Sequence, residues 1–354
     1  MLQIEQNNLL IQETLKGRIF AADGAEPGVY KSLDRIITDF DFTTYHISTV
    51  GEDKHLLLIS VYLKCWEDLV RYGVVEYLGL KYSSYGDVLA ATGPDSVESN
   101  YNYSFVLDLE ALSTKPEEYK SEVVDALSFL KRHCMASAFE QAFARYDELA
   151  SQYANQNTYA EEIQQELSNE PVLVINYRGS DESIYIKPSF DRVTVIFSTI
   201  FQDETDKIFG KVFLQEFVDA RKRSVQTAPQ VLYSHREPPL DIQSVVPRGP
   251  GGAGAGGAAI DSDNKGYVTF VLFPRHLVKG DRRDNCITHI QFFRNYFHYH
   301  IKCSKAYMHS RMRFRVKEFL KILNRAKPEN VDEDGKLVEN RKTASGRRFE
   351  VGGR

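Results

Sequence analysis

Apolar residues recur at steps of three, four and seven over residues 285–327: Cys286, Ile290, Phe293, Phe297, Ile301, Met308, Met312, Val316, Phe319 and Leu323. This is helical spacing, and it draws an apolar stripe down one side of a very long helix. The start is expected at Asp284 or Asn285, whose short side-chain oxygens can accept free backbone N–H groups. The end is expected before Pro328, which cannot extend a helix. At the standard rise such a helix is about 65 Å long, whereas a domain of ~170 residues is roughly 40 Å across. The stripe at Met312, Val316, Phe319 and Leu323 therefore needs cover from outside, most simply from another protein chain.

The rest of the chain alternates between two periods. Residues 1–20 read as a short helix (Leu9, Leu10, Leu15, Ile19), and residues 21–28 as a loop. Ile36-Ile37 and Phe40-Asp41-Phe42 open an extended region; residues 45–48 and 56–62 read as strands around a Gly51-Glu52-Asp53 turn. Trp66, Leu69, Val70, Val74, Tyr77 and Leu78 restore helical spacing to about Tyr82. After Gly93-Pro94, residues 101–109 alternate like a strand, and 116–153 read as a second long helix. The pattern restarts with strands at 171–177, 183–187 and 192–201. A helix follows that opens on Asp203, Glu204 and Asp206 and closes on Arg221-Lys222-Arg223. Strands at 231–234 and 267–273 lead into the long helix over 284–327. Each half thus runs through strands, a helix, further strands and a long helix. The expected fold is α+β: two similar domains, 1–153 and 171–328, each an antiparallel sheet with covering helices. Residues 154–170 serve as a linker, 246–259 form a glycine-rich insertion, and 329–354 a flexible polar tail.

Charge changes this picture in one place. The chain carries a formal net charge of −5 and is 42% apolar. Residues 283–327 hold eleven Lys/Arg against Asp284 and Glu318, while the remainder holds 33 basic and 47 acidic residues. The helix is a basic rod on an acidic chain, which suits an acidic partner or a solvated polar face. Of the four cysteines, Cys65, Cys134, Cys286 and Cys303, none lies in a C-x-x-C pair, which fits a reducing compartment. No leader pattern and no apolar run long enough to span a bilayer is visible.

Residues with the chemistry of a catalytic, cofactor or metal site lack the spacing for it. Gly252, Gly254 and Gly257 match a dinucleotide-loop spacing but lack the strand before and the helix after that would aim N–H groups at phosphate. His298 and His300 sit two apart on a helix and point in opposed directions, so they do not chelate together. Asp203, Glu204 and Asp206 suit a helix start better than a calcium site. The expectation is no catalytic residue, no cofactor and no bound metal. Arg311, Arg313, Arg315, Lys317 and Lys321 with Tyr307 and Phe314 have the residue types of a nucleic-acid surface, and nucleic-acid binding is the alternative function. A protein partner with an acidic surface explains the same facts.

Several longer strings are more specific. Ile208-Phe209-Gly210-Lys211-Val212-Phe213-Leu214-Gln215-Glu216-Phe217 is followed by Thr227-Ala228-Pro229-Gln230-Val231-Leu232-Tyr233-Ser234-His235-Arg236-Glu237-Pro238-Pro239. Then come Gly266-Tyr267-Val268-Thr269-Phe270-Val271-Leu272-Phe273-Pro274-Arg275-His276 and Tyr299-His300-Ile301-Lys302-Cys303-Ser304-Lys305-Ala306-Tyr307. With Asp39-Phe40-Asp41 and Tyr45-His46-Ile47-Ser48, these resemble the family of subunit 2 of the actin-related protein 2/3 complex, over about residues 1–328. The glycine-rich insertion and the tail depart from that pattern. The resemblance implies two similar α+β domains and a long helix that packs along a helix of subunit 4 at the core of a seven-subunit assembly. It implies that the assembly starts actin branches on existing filaments, that this subunit grips the existing filament, and that it is not an enzyme. Nucleotide belongs to the actin-related subunits, and nucleic acid is not an implied partner. The implied location is the cytoplasmic actin cytoskeleton, in cortical patches or cell projections. On this basis Ile301, Met308, Met312, Val316, Phe319 and Leu323 are the expected subunit interface. Lys302, Lys305, Arg311, Arg313, Arg315 and Lys317, with Arg221 and Lys222, are the expected filament contact.

Overall fold

The structure is a computed structural model that describes residues 4–20, 30–93, 96–156, 160–246 and 264–326. The expected loop at 21–28, the glycine-rich insertion from Pro247 onward and the tail at 329–354 lie outside the described residues. Two compact units divide the chain, Met1–Ile301 and Lys302–Arg354.

The first unit holds two five-stranded antiparallel sheets. Helix α1 (Leu9–Ile19) is capped by the Asn8 side chain, which accepts from the Leu10 and Ile11 N–H groups. Strands β1 (Asp34–Asp39), β2 (Thr43–Val50) and β3 (Asp53–Tyr62) follow. Next come α2 (Trp66–Arg71), α3 (Val74–Tyr82), β4 (Leu89–Ala91) and β5 (Tyr103–Asp108). Then α4 (Leu109–Ser113), α5 (Glu117–Ser128) and α6 (Leu130–Gln152) complete the first half. The second half runs α7 (Glu161–Ser168), β6 (Leu173–Ile175), β7 (Tyr177–Ser180), β8 (Ile184–Pro188) and β9 (Val193–Ile200). It continues through α8 (Glu204–Arg223), β10 (Gln230–His235), β11 (Lys265–Leu272) and α9 (Asp281–Ala326).

The sheets read β1-β2-β3-β5-β4 and β6-β8-β9-β11-β10. Counted from the first strand of each, both follow the order 1-2-3-5-4, so the last strand inserts between the third and the fourth. In both halves a helical crossover joins the third strand to the fourth, α2 and α3 in one and α8 in the other. The duplication therefore extends from element order to strand pairing.

Burial explains the strand patterns. In β2, Thr43, Tyr45 and Ile47 are buried while Thr44, His46 and Ser48 are not, the alternation of a sheet with one covered face. In β9 and β11 seven of eight residues are buried, because both faces are covered. Ile196 packs with Tyr185, Tyr267 and Ile242 on one side, and Phe197 meets Phe270 and Phe293 on the other. Helix α6 is buried along most of its length, and one continuous apolar core runs from the first sheet through it to the second. Glycine matters at two packing contacts: a Cβ on Gly210 of α8 would sit 2.7 Å from the buried Phe201 ring, and one on Gly266 of β11 would sit 2.8 Å from the Tyr233 hydroxyl.

Five expectations change. Residues 40–42 are a tight turn rather than an extended run, with Asp41 and Phe42 both left-handed (φ 62° and 57°). The helical spacing from Trp66 to Tyr82 is broken at Gly73, whose φ of 72° ends α2 and starts α3. The expected single helix over 116–153 breaks at Phe129; the Ser128 carbonyl accepts instead from the Asn8 N–H, at 2.9 Å. The long helix starts at Asp281, after the left-handed Gly280, so Asp284 lies in its first turn and is not its cap. Helix α7 lies within the stretch expected to be a linker.

Candidate interface along the long helix

Up to Ile301, α9 belongs to the core of its unit. Ile287, Ile290, Phe293, Phe297 and Ile301 are at most 8% exposed; Phe293 meets Phe197 of β9 and Phe270 of β11, and Phe297 meets Phe213 of α8. Cys286 is only half-buried and Ile287 takes the core position in the first turns. His298 approaches Thr199 Oγ1 at 2.7 Å, and His300 stacks on Phe213 with ring centres 5.4 Å apart. Among the described residues no group of His, Cys, Asp and Glu is arranged to hold a metal ion. No helix among them is long and apolar enough to cross a membrane.

Ion pairs clamp this part of the helix from three sides. Arg283 donates to both carboxylate oxygens of Asp147 on α6, at 2.9 and 3.0 Å. Arg132, also on α6, donates to the Asp284 carboxylate and carbonyl, at 2.8 and 2.9 Å. Arg294 donates to Glu182, at 2.6 Å, and Asn295 to Asp41, at 2.8 Å. Asp41 also receives Lys131 at 3.0 Å and Arg178 at 3.3 Å. The left-handed turn at Asp41 and Phe42, which costs about 1–3 kcal/mol per residue, is held by these bonds and by Lys64 and Arg178 over the Phe42 ring.

Burial pushes the Asp41 carboxyl up, but the charges of Lys131 and Arg294 and the bonds from Asn295 and Lys131 outweigh it and hold the group below the usual carboxylate range. A depressed carboxylate contributes stability that is complete above its unfolded pKa of about 4 and is lost as the pH falls through the folded value. Asp41→Asn is accordingly expected to lose ~2–3 kcal/mol at pH 7, and its urea unfolding curve should converge on the wild type in acid. An equal separation at pH 7 and pH 2 would contradict this role.

From Lys302 to Arg325 no residue is buried. Met308, Met312, Val316, Phe319 and Leu323 are 48, 59, 54, 60 and 43% exposed. Leu320 and Ile322, which are not among the residues of the expected stripe, are exposed beside them. Of the residues expected at the subunit interface, Ile301 alone is placed in the core of its own unit, at 2% exposure.

The basic residues separate into groups. Arg313, Lys317 and Lys321 follow one another at steps of four and form a ridge beside Met312, Val316 and Leu320. Lys302 and Lys222 are exposed, Lys305 is half-buried, and Arg221 is tied to the Ala228 carbonyl at 3.1 Å. Arg311 donates to the Tyr307 hydroxyl, at 2.5 Å, and lies over its ring. Phe314, three residues after Arg311, shares that side, so these aromatics form a second exposed patch off the main stripe. Arg315 is three residues after Met312 and four before Phe319, which places it on the apolar side instead of the polar one.

Comparison with known proteins gives a consistent answer. The family model described as "Arp2/3 complex, 34 kD subunit p34-Arc" matches residues 59–330, more than half of the chain. The chain is 44% identical over 350 residues to the actin-related protein 2/3 complex subunit 2 of Schizosaccharomyces pombe, covering 99% of both chains. It is 37% identical over 302 residues to the protein of the same name from Dictyostelium discoideum, covering 85% of this chain and 88% of that one. A match of this extent to the family model, and an identity this high over the full length of a relative, place the chain in the Arp2/3 complex 34 kD subunit (p34-Arc) family.

Proposed function

We propose that this chain is the actin-binding core scaffold of a seven-subunit Arp2/3 assembly that nucleates branched actin filaments. It pairs with subunit 4 along residues 302–326 of α9, contacts the existing filament, and works in the cytoplasmic actin cytoskeleton, in cortical patches or cell projections. It carries no chemistry of its own. The observation that supports the scaffold role is the exposed apolar run Met308, Met312, Val316, Phe319 and Leu323 on a well-formed helix. A contiguous apolar strip of this kind is unfavourable in water and marks a contact with another chain. Family membership supports the choice of partners. The ridge Arg313, Lys317 and Lys321 provides a basic strip for an acidic filament surface.

The filament role is tested with Arg313→Glu plus Lys317→Glu, which leaves the apolar stripe untouched. Each exposed pair is worth up to about 1 kcal/mol, so the two reversals should weaken co-sedimentation of the assembled complex with filaments about tenfold. The defect should shrink as salt rises. Wild-type sedimentation at every salt concentration would remove this ridge from the filament contact.

A further inference from the structure

Arg315 lies about halfway along the exposed apolar stretch of α9, on the flank of the stripe that carries Met308, Phe319 and Ile322. It follows Met308 by seven residues and Met312 by three, and it precedes Phe319 by four and Ile322 by seven. On a helix these offsets bring all five side chains to one face. The steps 308, 312, 315, 319, 322 alternate four and three, the seam pattern of paired helices, and Arg315 takes a position where that pattern wants an apolar residue. Its four seam neighbours are between 48 and 65% exposed. Glu318, the one carboxylate in residues 302–326, accepts from Lys321 at 2.8 Å.

We propose that the subunit lying along α9 presents an aspartate or glutamate level with Arg315, and that this ion pair sets the register of the two helices. The inference rests on the reading that another subunit covers this stripe. A guanidinium enclosed by methionine, phenylalanine and isoleucine is strongly disfavoured without a counter-ion. A seam of otherwise interchangeable apolar residues can slide by a heptad, and a single polar position removes that freedom, because only one register pairs it. The charge also selects the occupant. Residues 302–326 carry eight Lys/Arg against one Glu, so a second copy of this helix would set like charge beside like and bring Arg315 no carboxylate. The occupant is an amphipathic helix of a different chain with an acid embedded in its apolar stripe.

The test uses the full set of subunits, co-expressed and purified. Arg315→Glu should weaken incorporation of this chain at least about a hundredfold, since it sets two buried carboxylates together. Arg315→Lys should assemble, and a carbodiimide should then couple the new amine to the carboxylate beside it, so that mass spectrometry of the cross-linked peptides names the partner residue. Changing that residue to Leu should cost about tenfold or more in the wild-type background and should be neutral or favourable with Arg315→Met. Met312→Asp plus Phe319→Asp is the control for docking itself. If that control blocks assembly while Arg315→Glu assembles normally, the ion pair is refuted and the docking stands. If both assemble normally, the docking reading fails as well. A cross-link to this chain's own Asp332, Glu333 or Asp334, or none at all, would also overturn the proposed pair.

Discussion

Met312→Asp plus Phe319→Asp is expected to exclude this chain from the assembled complex while leaving its own fold intact. Both side chains are more than half exposed, so the substitutions take nothing from the chain's core. Aspartate is a poorer helix former than either residue by only a few tenths of a kcal/mol, and both new carboxylates lie within a turn of Arg315, which offsets part of that. In a seam between subunits the balance reverses. Each apolar side chain removed from a buried contact forfeits about 1.5–3 kcal/mol, and each carboxylate enclosed there carries a further desolvation cost. The combined loss is ~5 kcal/mol or more, over a thousandfold in affinity. Co-purification should fail, and the circular dichroism and urea midpoint of the isolated variant should match the wild type. A complex of normal composition and stability would show that the stripe is covered in another way.

The second large effect is expected at Glu182, on the other part of the chain. Its carboxylate is 3% exposed and takes Arg178 at 2.7 Å, Arg294 at 2.6 Å, Thr199 Oγ1 at 3.0 Å and the Ile200 N–H at 2.9 Å. One acid, in the turn between β7 and β8, thereby joins β7, the end of β9 and the first third of α9. Glu182→Ala leaves the Arg294 guanidinium, only 15% exposed, without its carboxylate and strips a hydroxyl and an amide of their acceptor. Breaking a buried pair from one side costs about 3–5 kcal/mol, a large share of the 5–15 kcal/mol typical of a whole protein. Urea unfolding of the purified chain reads the loss directly. Glu182→Gln, which keeps an acceptor but not the charge, should fall between the two; a Gln variant as stable as wild type would mean the charge contributes nothing.

These two effects differ in how visible they are in the sequence. The stripe on α9 is periodic and local, so spacing alone finds it. Most strands are found in the same way, from alternation in β2 and from dense apolar runs in β9 and β11, whereas β4, three residues long, is too short to carry a pattern and is not among the expected strands. The network around Glu182 and Asp41 leaves no local trace, because Asp41 meets Asn295 across 254 positions and Arg294 meets Glu182 across 112. The start of α9 is hidden for a related reason. Asp284 looks like a cap from its neighbours, but Arg132 on α6 claims both its carboxylate and its carbonyl. The shared strand order of the two halves was invisible too, since element order does not say which strand inserts between which. Arg315 stands among cations in the sequence, but on the continuous helix its offsets from Met312 and Phe319 place it beside the apolar stripe.

Methionine oxidation tests most directly whether another subunit covers the stripe. The chain has four methionines, and two of them, Met308 and Met312, lie on the exposed side of α9, while Met135 is buried in the core at 6% exposure. Peroxide treatment followed by mass spectrometry gives the sulfoxide rate at each. In the isolated chain Met308 and Met312 should oxidise much faster than Met135; in the assembled complex both should slow to the rate of Met135. Equal rates at Met308 and Met312 in the free chain and in the complex would contradict the scaffold reading.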